Sequence, residues 1–230
     1  MKIKNHQGFT LAELLVVISI IGILTTIVLA NFQRGNYAND LRRTGTELLQ
    51  DFRLAQNYTI GGSSLDYCTY DAISSGDYGK YCTADNECNS GAGVCRNGVP
   101  LGGYGLHFES TELYSLFADT DNDQALGGND REIIVRNPFL KSIRVSQFQL
   151  GTLPAIDPQA TQQYLDVLFY PPDGQIHFFV KLSGAPQVAE SLETTARILL
   201  FSDRITSSCR QISINRISGQ ISEVQGGCSL

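Results

Sequence analysis

FTLAELLVVISIIGILTTIVLA, residues 9 to 30, is an apolar run with a single acid, Glu13, near its start. The short basic leader MKIKNHQG, carrying Lys2 and Lys4, precedes it. From Leu14 to Gln33 no residue is charged. A helix rising about 1.5 Å per residue over that stretch reaches roughly 30 Å, the hydrocarbon thickness of a bilayer. Within such a span a carboxylate costs about 2.5–3.5 kcal/mol by insertion scales, so Glu13 needs a partner. A cation freed at Phe9 by cleavage after Gly8 would supply one.

Three other readings of this run are weaker. A secretory signal peptide has an apolar core of roughly 7–15 residues and small residues before its cleavage site. Val28-Leu29-Ala30 would serve as that site, but the run is longer and Glu13 sits where neutrality is expected. A plain membrane anchor with Lys2 and Lys4 on the cytoplasmic side gives no reason for Gly8-Phe9 and Glu13 at their spacing. A helix buried in a soluble core would need protein on every side.

GFTLAELLVVISIIGIL, residues 8 to 24, closely resembles the class III signal of type IV pilins and type II secretion pseudopilins. The resemblance implies a prepilin peptidase that cuts between Gly8 and Phe9 and methylates the new N-terminus. It also implies that Glu13 meets the N-terminal amine of a neighbouring subunit during assembly. The expected partners are other pilin or pseudopilin subunits, the peptidase-methyltransferase and an assembly platform in the inner membrane. The expected location is the cytoplasmic membrane, crossed once with the head exported, and then a surface or periplasmic filament.

Composition agrees with export. The chain has 230 residues, 42% of them hydrophobic, enough for one head plus an anchor. Cys68, Cys82, Cys88, Cys95, Cys209 and Cys228 form an even set with no C-x-x-C pair, which favours disulfides over a zinc site. We expect Cys209 to bridge Cys228, and the other four to pair among themselves in an order the sequence leaves open. The net charge of −6 becomes −8 without Lys2 and Lys4, which argues against broad attraction to nucleic acid or anionic lipid.

Beyond the apolar run, Leu41, Leu48, Phe52 and Ala55 form the stripe of an amphipathic helix, with Asp40, Arg42, Arg43, Glu47, Asp51 and Arg53 on its other face. Gly61-Gly62 marks its end. This resembles the extended N-terminal helix of pilins, with Gly22 where many carry a helix-weakening glycine and Ala30 where proline is common. Residues 61–103 are rich in Gly, Ser, Asn and Asp and read as an irregular, disulfide-held loop. From Tyr104 onward, strands alternate with turn signals, as in an antiparallel sheet. They are expected at Tyr104 to Glu109, Leu113 to Ala118, Glu132 to Val135, Ile143 to Phe148, Leu165 to Tyr170, Gln175 to Leu182, Ile198 to Ser202, Gln211 to Asn215 and Gln220 to Val224. VLFYPPDGQIHFF and ISINRISGQISEV resemble a strand turn and the closing hairpin of H-type minor pseudopilins, and LLQDFRLAQNYTI resembles the helix end of that branch and of T-type minor pilins.

FADTDNDQALGGNDRE, residues 117 to 132, places Asp119, Asp121, Asp123 and Asp130 at the first, third, fifth and twelfth positions of a loop, the spacing of an EF-hand. Gln124 replaces the glycine of its sixth position, the twelfth is Asp, and the flanks read as strands, so the loop is not an EF-hand. It resembles aspartate-rich turns in minor pilins and other extracellular proteins. A Ca²⁺ there would take oxygens from Asp119, Asp121, Asp123, the Ala125 carbonyl, and Asp130 or Glu132, with Gly127-Gly128 giving the sharp return. A solvated acidic turn explains the same residues.

No catalytic set emerges: His107 and His177 lie near no nucleophile motif and read as ordinary strand residues, and there is no G-x-S-x-G. The sequence therefore describes a non-enzymatic α+β chain that needs no cofactor. Its segments are a leader (1–8), an apolar helix (9–30), an amphipathic extension (31–60), a Cys-rich loop (61–103) and an antiparallel head (104–230). Its expected role is that of a minor filament subunit. Arg204, Arg210 and Arg216, the head's only basic stretch, raise the alternative of a DNA-capturing minor pilin.

Overall fold

The computed structural model describes residues 10–69, 79–88, 93–124, 126–127, 130–139, 142–153, 155–157, 163–181 and 189–226. One helix, α1 (Leu11–Ile60), runs unbroken through Gly22 and Gly35. Its first half stands clear of the head among the described residues, and Leu14, Ile18, Ile21 and Val28 are exposed. Its second half turns Leu41, Leu48, Phe52 and Ala55 inward, and all four are buried. The helix ends in a Schellman motif. Ser63 N–H donates to the Tyr58 carbonyl (2.9 Å) and Gly62 N–H to that of Thr59 (3.3 Å). Gly62 sits at φ 64°, where a side chain would be strained.

Among the described residues beyond the helix, every strand pairing is antiparallel. The strands are β1 (Leu65–Thr69), β2 (Val94–Gly98), β3 (Gly103–Phe108), β4 (Leu113–Asp119), β5 (Arg131–Pro138), β6 (Ile143–Leu150), β7 (Tyr164–Tyr170), β8 (Gln175–Lys181), β9 (Ala189–Ser191), β10 (Thr195–Ser202), β11 (Ile205–Asn215) and β12 (Ile221–Gly226). They form three sheets rather than one: β1-β2, β12-β11-β10-β6 and β5-β4-β3-β7-β8-β9. Helix α1 packs on both larger sheets, meeting β11 and β12 of one and β3 and β7 of the other. One core joins Phe52 to Phe108, Phe148, Phe169, Ile198 and Ile212. Polar ties pin the helix at its edges. Tyr114 Oη donates to Asp51 Oδ2 (2.5 Å), Thr59 Oγ1 to the Phe169 carbonyl (3.0 Å), and Tyr104 Oη to the Ser63 carbonyl (2.7 Å).

The α+β class read from the sequence is the one observed. The described part of the Cys-rich segment holds a strand pair its composition does not announce, β1 with β2, with Cys68 opposite Cys95. Those two are not bonded to each other. The bridges are Cys68–Cys88 and Cys82–Cys95, and Cys68, Cys82 and Cys88 are buried together as a small core of their own. Crosslinks thus supply the burial that Gly, Ser and Asn cannot. Cys209 is also disulfide-bonded, and Cys228, its expected partner, lies outside the described residues.

Candidate functional site

The first candidate site is the free half of α1. Thr10 caps the helix: its Oγ1 accepts from Glu13 N–H (3.2 Å), while its own N–H and hydroxyl donate to Glu13 Oε2 (both 2.9 Å). Reciprocal capping of this kind satisfies donors that lipid could not. The other hydroxyls of the run also turn back on the backbone. Ser19 donates to the Leu15 carbonyl (2.9 Å), Thr25 to that of Ile21 (2.7 Å) and Thr26 to that of Ile23 (2.8 Å). The span therefore presents an apolar exterior, and its single charge, Glu13, stands at the helix start. Glu13 has partners within its own chain but no opposite charge among the described residues. Gly8 and Phe9 lie outside them.

The second candidate site is the turn between β4 and β5. Asp119, Asp121, Asp123 and Asp130 each bring one carboxylate oxygen to a common point, all within 4.8 Å of one another. Asp119, the last residue of β4, is fully buried, and its carboxyl group lies over Gly102, where any Cβ would collide with it. Its Oδ2 accepts from Gln124 N–H (3.2 Å), whereas its Oδ1 finds no donor among the described residues. Asp130 accepts from Thr120 N–H (2.9 Å) and Gly127 N–H (2.7 Å), and Asp121 Oδ1 accepts from Asp123 N–H (3.2 Å). Burial, reinforced by the neighbouring carboxylates, pushes Asp119 up to about 8. Burial likewise lifts Asp130 to about 7 against the pull of its two backbone donors.

Two further details bear on the expected ligands and turn. Asn122 (φ 60°) and Gln124 (φ 71°) take left-handed conformations in the first part of the turn, Gln124 held by its bond to Asp119. Glu132 is not in the cluster. It pairs opposite Phe117 in β5 and lines an adjacent open cleft of about 390 Å³ with His107, Glu109 and Asp130. Ala125 and Gly128 lie outside the described residues.

The model of the prokaryotic N-terminal methylation motif matches residues 3–29. The chain carries the class III signal of type IV pilins and pseudopilins. Together with the long apolar helix, that motif supports a membrane-anchored, pilin-like subunit. It also implies processing by prepilin peptidase and assembly with other pilin subunits. No curated protein and no solved structure matches the chain.

The three arginines of the basic stretch are engaged differently. Arg210 pairs with Glu223 (3.4 Å) beside Gly45 of the helix, and Arg216 with Glu190 (2.7 Å), whereas Arg204 lines an open cleft with Arg144 and Asp203. His177 joins Glu190 (2.7 Å) in the same surface network. His107 is less ordinary than its strand position implied. Its Nδ1 lies 2.5 Å from Oδ1 of the fully buried Asp166, its register neighbour in β7. Burial works against a charged imidazole, but the Asp166 carboxylate outweighs it and holds His107 above its usual value. The sequence signal was available: an Asp in the middle of the apolar strand YLDVLFY needs a buried partner.

Proposed function

We propose that this chain is a minor subunit of a type IV pilus-like or type II secretion filament. Prepilin peptidase releases Phe9, the helix crosses the cytoplasmic membrane once, and the head is exported before assembly. The observation that carries this reading is the division of labour along α1. A bilayer-length half has the side chains of Thr10, Glu13, Ser19, Thr25 and Thr26 satisfied locally, and a second half is built into the head. Such a helix pulls a folded head along when its apolar half moves from lipid into a filament core. The disulfides support an oxidising destination for that head. Its size and its stapled ribbon favour a minor subunit over a major one.

The role is one of packing and docking, without enzymatic activity. The test is fractionation in the native host. The head should be protease-accessible from the outer side of the cytoplasmic membrane, and the chain should appear in sheared or periplasmic filaments with other pilin subunits. A chain confined to the membrane under assembling conditions would contradict the proposal.

The DNA-capturing alternative has less support, since Arg210 and Arg216 are spent on Glu223 and Glu190 and the chain is acidic overall. A salt-titrated DNA-binding measurement separates the two readings, because phosphate contacts lose affinity steeply as salt rises. The structural role predicts no such salt-sensitive binding.

A further inference from the structure

We infer that the β4–β5 turn is a Ca²⁺ site whose ligands are Asp119, Asp121, Asp123 and Asp130, and that the bound ion locks this turn against the disulfide-stapled ribbon. The inference goes beyond the filament role and stands independently of it.

Two observations of different kinds meet at this place. The first is convergence. Four carboxylates from two strand ends and the turn between them bring oxygens within 4.8 Å of each other. Oxygens on opposite sides of a calcium, each about 2.3–2.6 Å from it, are separated by about that distance. The second is an unmet demand. Asp119 is wholly buried, and among the described residues its Oδ1 has no hydrogen-bond donor. Buried carboxylate oxygens without a donor are costly and call for an explanation. A cation at the common point supplies the missing partner and offsets the mutual repulsion of the four groups.

Ligand chemistry selects the ion. Hard oxygens with several carboxylates suit Ca²⁺. Mg²⁺ is held by one or two carboxylates, keeps several waters and needs shorter bonds of about 2.0–2.1 Å. The surroundings suit a fixed site. Leu126 of the same turn packs on the buried cluster of Phe117, Leu168 and Phe179 and anchors the turn there.

The ribbon meets this turn directly. Gly79, whose N–H donates to the Cys68 carbonyl (3.0 Å), lies so close to the Asp121 backbone that a Cβ there would fall 2.6 Å from its Cα. Arg131, next to Asp130, stacks over the Tyr81 ring at 4.1 Å. Fixing Asp121 and Asp130 on one ion therefore fixes the surface on which residues 79–81 rest.

The test uses the full chain in detergent, titrated with CaCl₂ and, separately, MgCl₂. Calcium a hundredfold above its dissociation constant should raise the melting temperature by about 5–10 °C, with further rises as the concentration grows. Magnesium at equal concentration should do markedly less. Asp121→Ala, at a partly exposed position, should melt like the native chain in chelator and lose the calcium response, and Asp123→Asn should weaken it. Hydrogen exchange should slow on calcium addition both in residues 119–124 and in residues 79–83. No melting shift at millimolar calcium, or an equal shift with magnesium, overturns the site. Protection confined to the turn overturns the coupling to the ribbon.

Discussion

Removing the Glu13 carboxylate tests the assembly role of the helix start, and two substitutions divide its duties. Glu13→Ala deletes both the charge and the oxygen that accepts from the N–H and hydroxyl of Thr10. Loss of such a cap costs about 1 kcal/mol, while removing a charge from the apolar span returns about 3 kcal/mol on insertion scales. The balance, about 2 kcal/mol, favours the membrane by roughly thirtyfold. Glu13→Gln keeps an oxygen facing Thr10 N–H and removes only the charge. Both variants should therefore remain in carbonate-washed membranes at native levels or higher. If Glu13 pairs with the N-terminal cation of a neighbour, both should also deplete the chain from sheared filaments. Native filament yield from Glu13→Gln would refute the ion-pair role and leave the carboxylate as a cap alone. Loss of Glu13→Ala from the membrane would refute the insertion argument.

The other predictions concern the head. Phe52→Ala empties a fully buried position between α1 and both sheets, so it should cost about 3–5 kcal/mol and lower the melting temperature by about 10 °C, whereas Arg53→Ala on the exposed face should change it little. Non-reducing peptide mapping should recover Cys68–Cys88 and Cys82–Cys95; replacing Cys82 and Cys95 together by Ser should cost about 3 kcal/mol, and Cys209 joined to any of the four would be contrary to this account. NMR titration should place His107 above 6.5, with Asp166→Asn bringing it down. Because its folded value is raised, the stabilisation from this pair is complete below the free-histidine range and fades as pH climbs through the raised value, so thermal melts should show that loss in the native chain and not in Asp166→Asn.

Much of this molecule can be read from its sequence because periodicity and terminators are local signals. The stripe of Leu41, Leu48, Phe52 and Ala55 fixes the inner face of α1, and Gly61-Gly62 fixes its end. Strands β3, β4, β6, β7, β8, β10, β11 and β12 follow apolar runs bounded by turn residues. What escapes is what depends on distant partners. The division of the head into two large sheets is set by β6 pairing with β10, some 50 residues later in the chain, and not by any local motif. Strands β1 and β2 exist because they hold each other at the ends of a disulfide-rich segment, so their own composition reads as loop. The Asp-rich turn is legible as a spacing, but the burial of Asp119 over Gly102 is not, since that contact joins the end of β4 to the bend before β3. The pairing of His107 with Asp166 is hidden for the same reason.

The central claim, that this chain enters a filament as a processed pilin-like subunit, rests on the bond between Gly8 and Phe9. Mass spectrometry of the N-terminal peptide, taken from protein extracted from native membranes and from sheared filaments, measures it directly. The account predicts a single N-methylated terminus at Phe9 in the filament fraction. A mature chain beginning at Met1, or at Asn31 after signal-peptide cleavage, would contradict it.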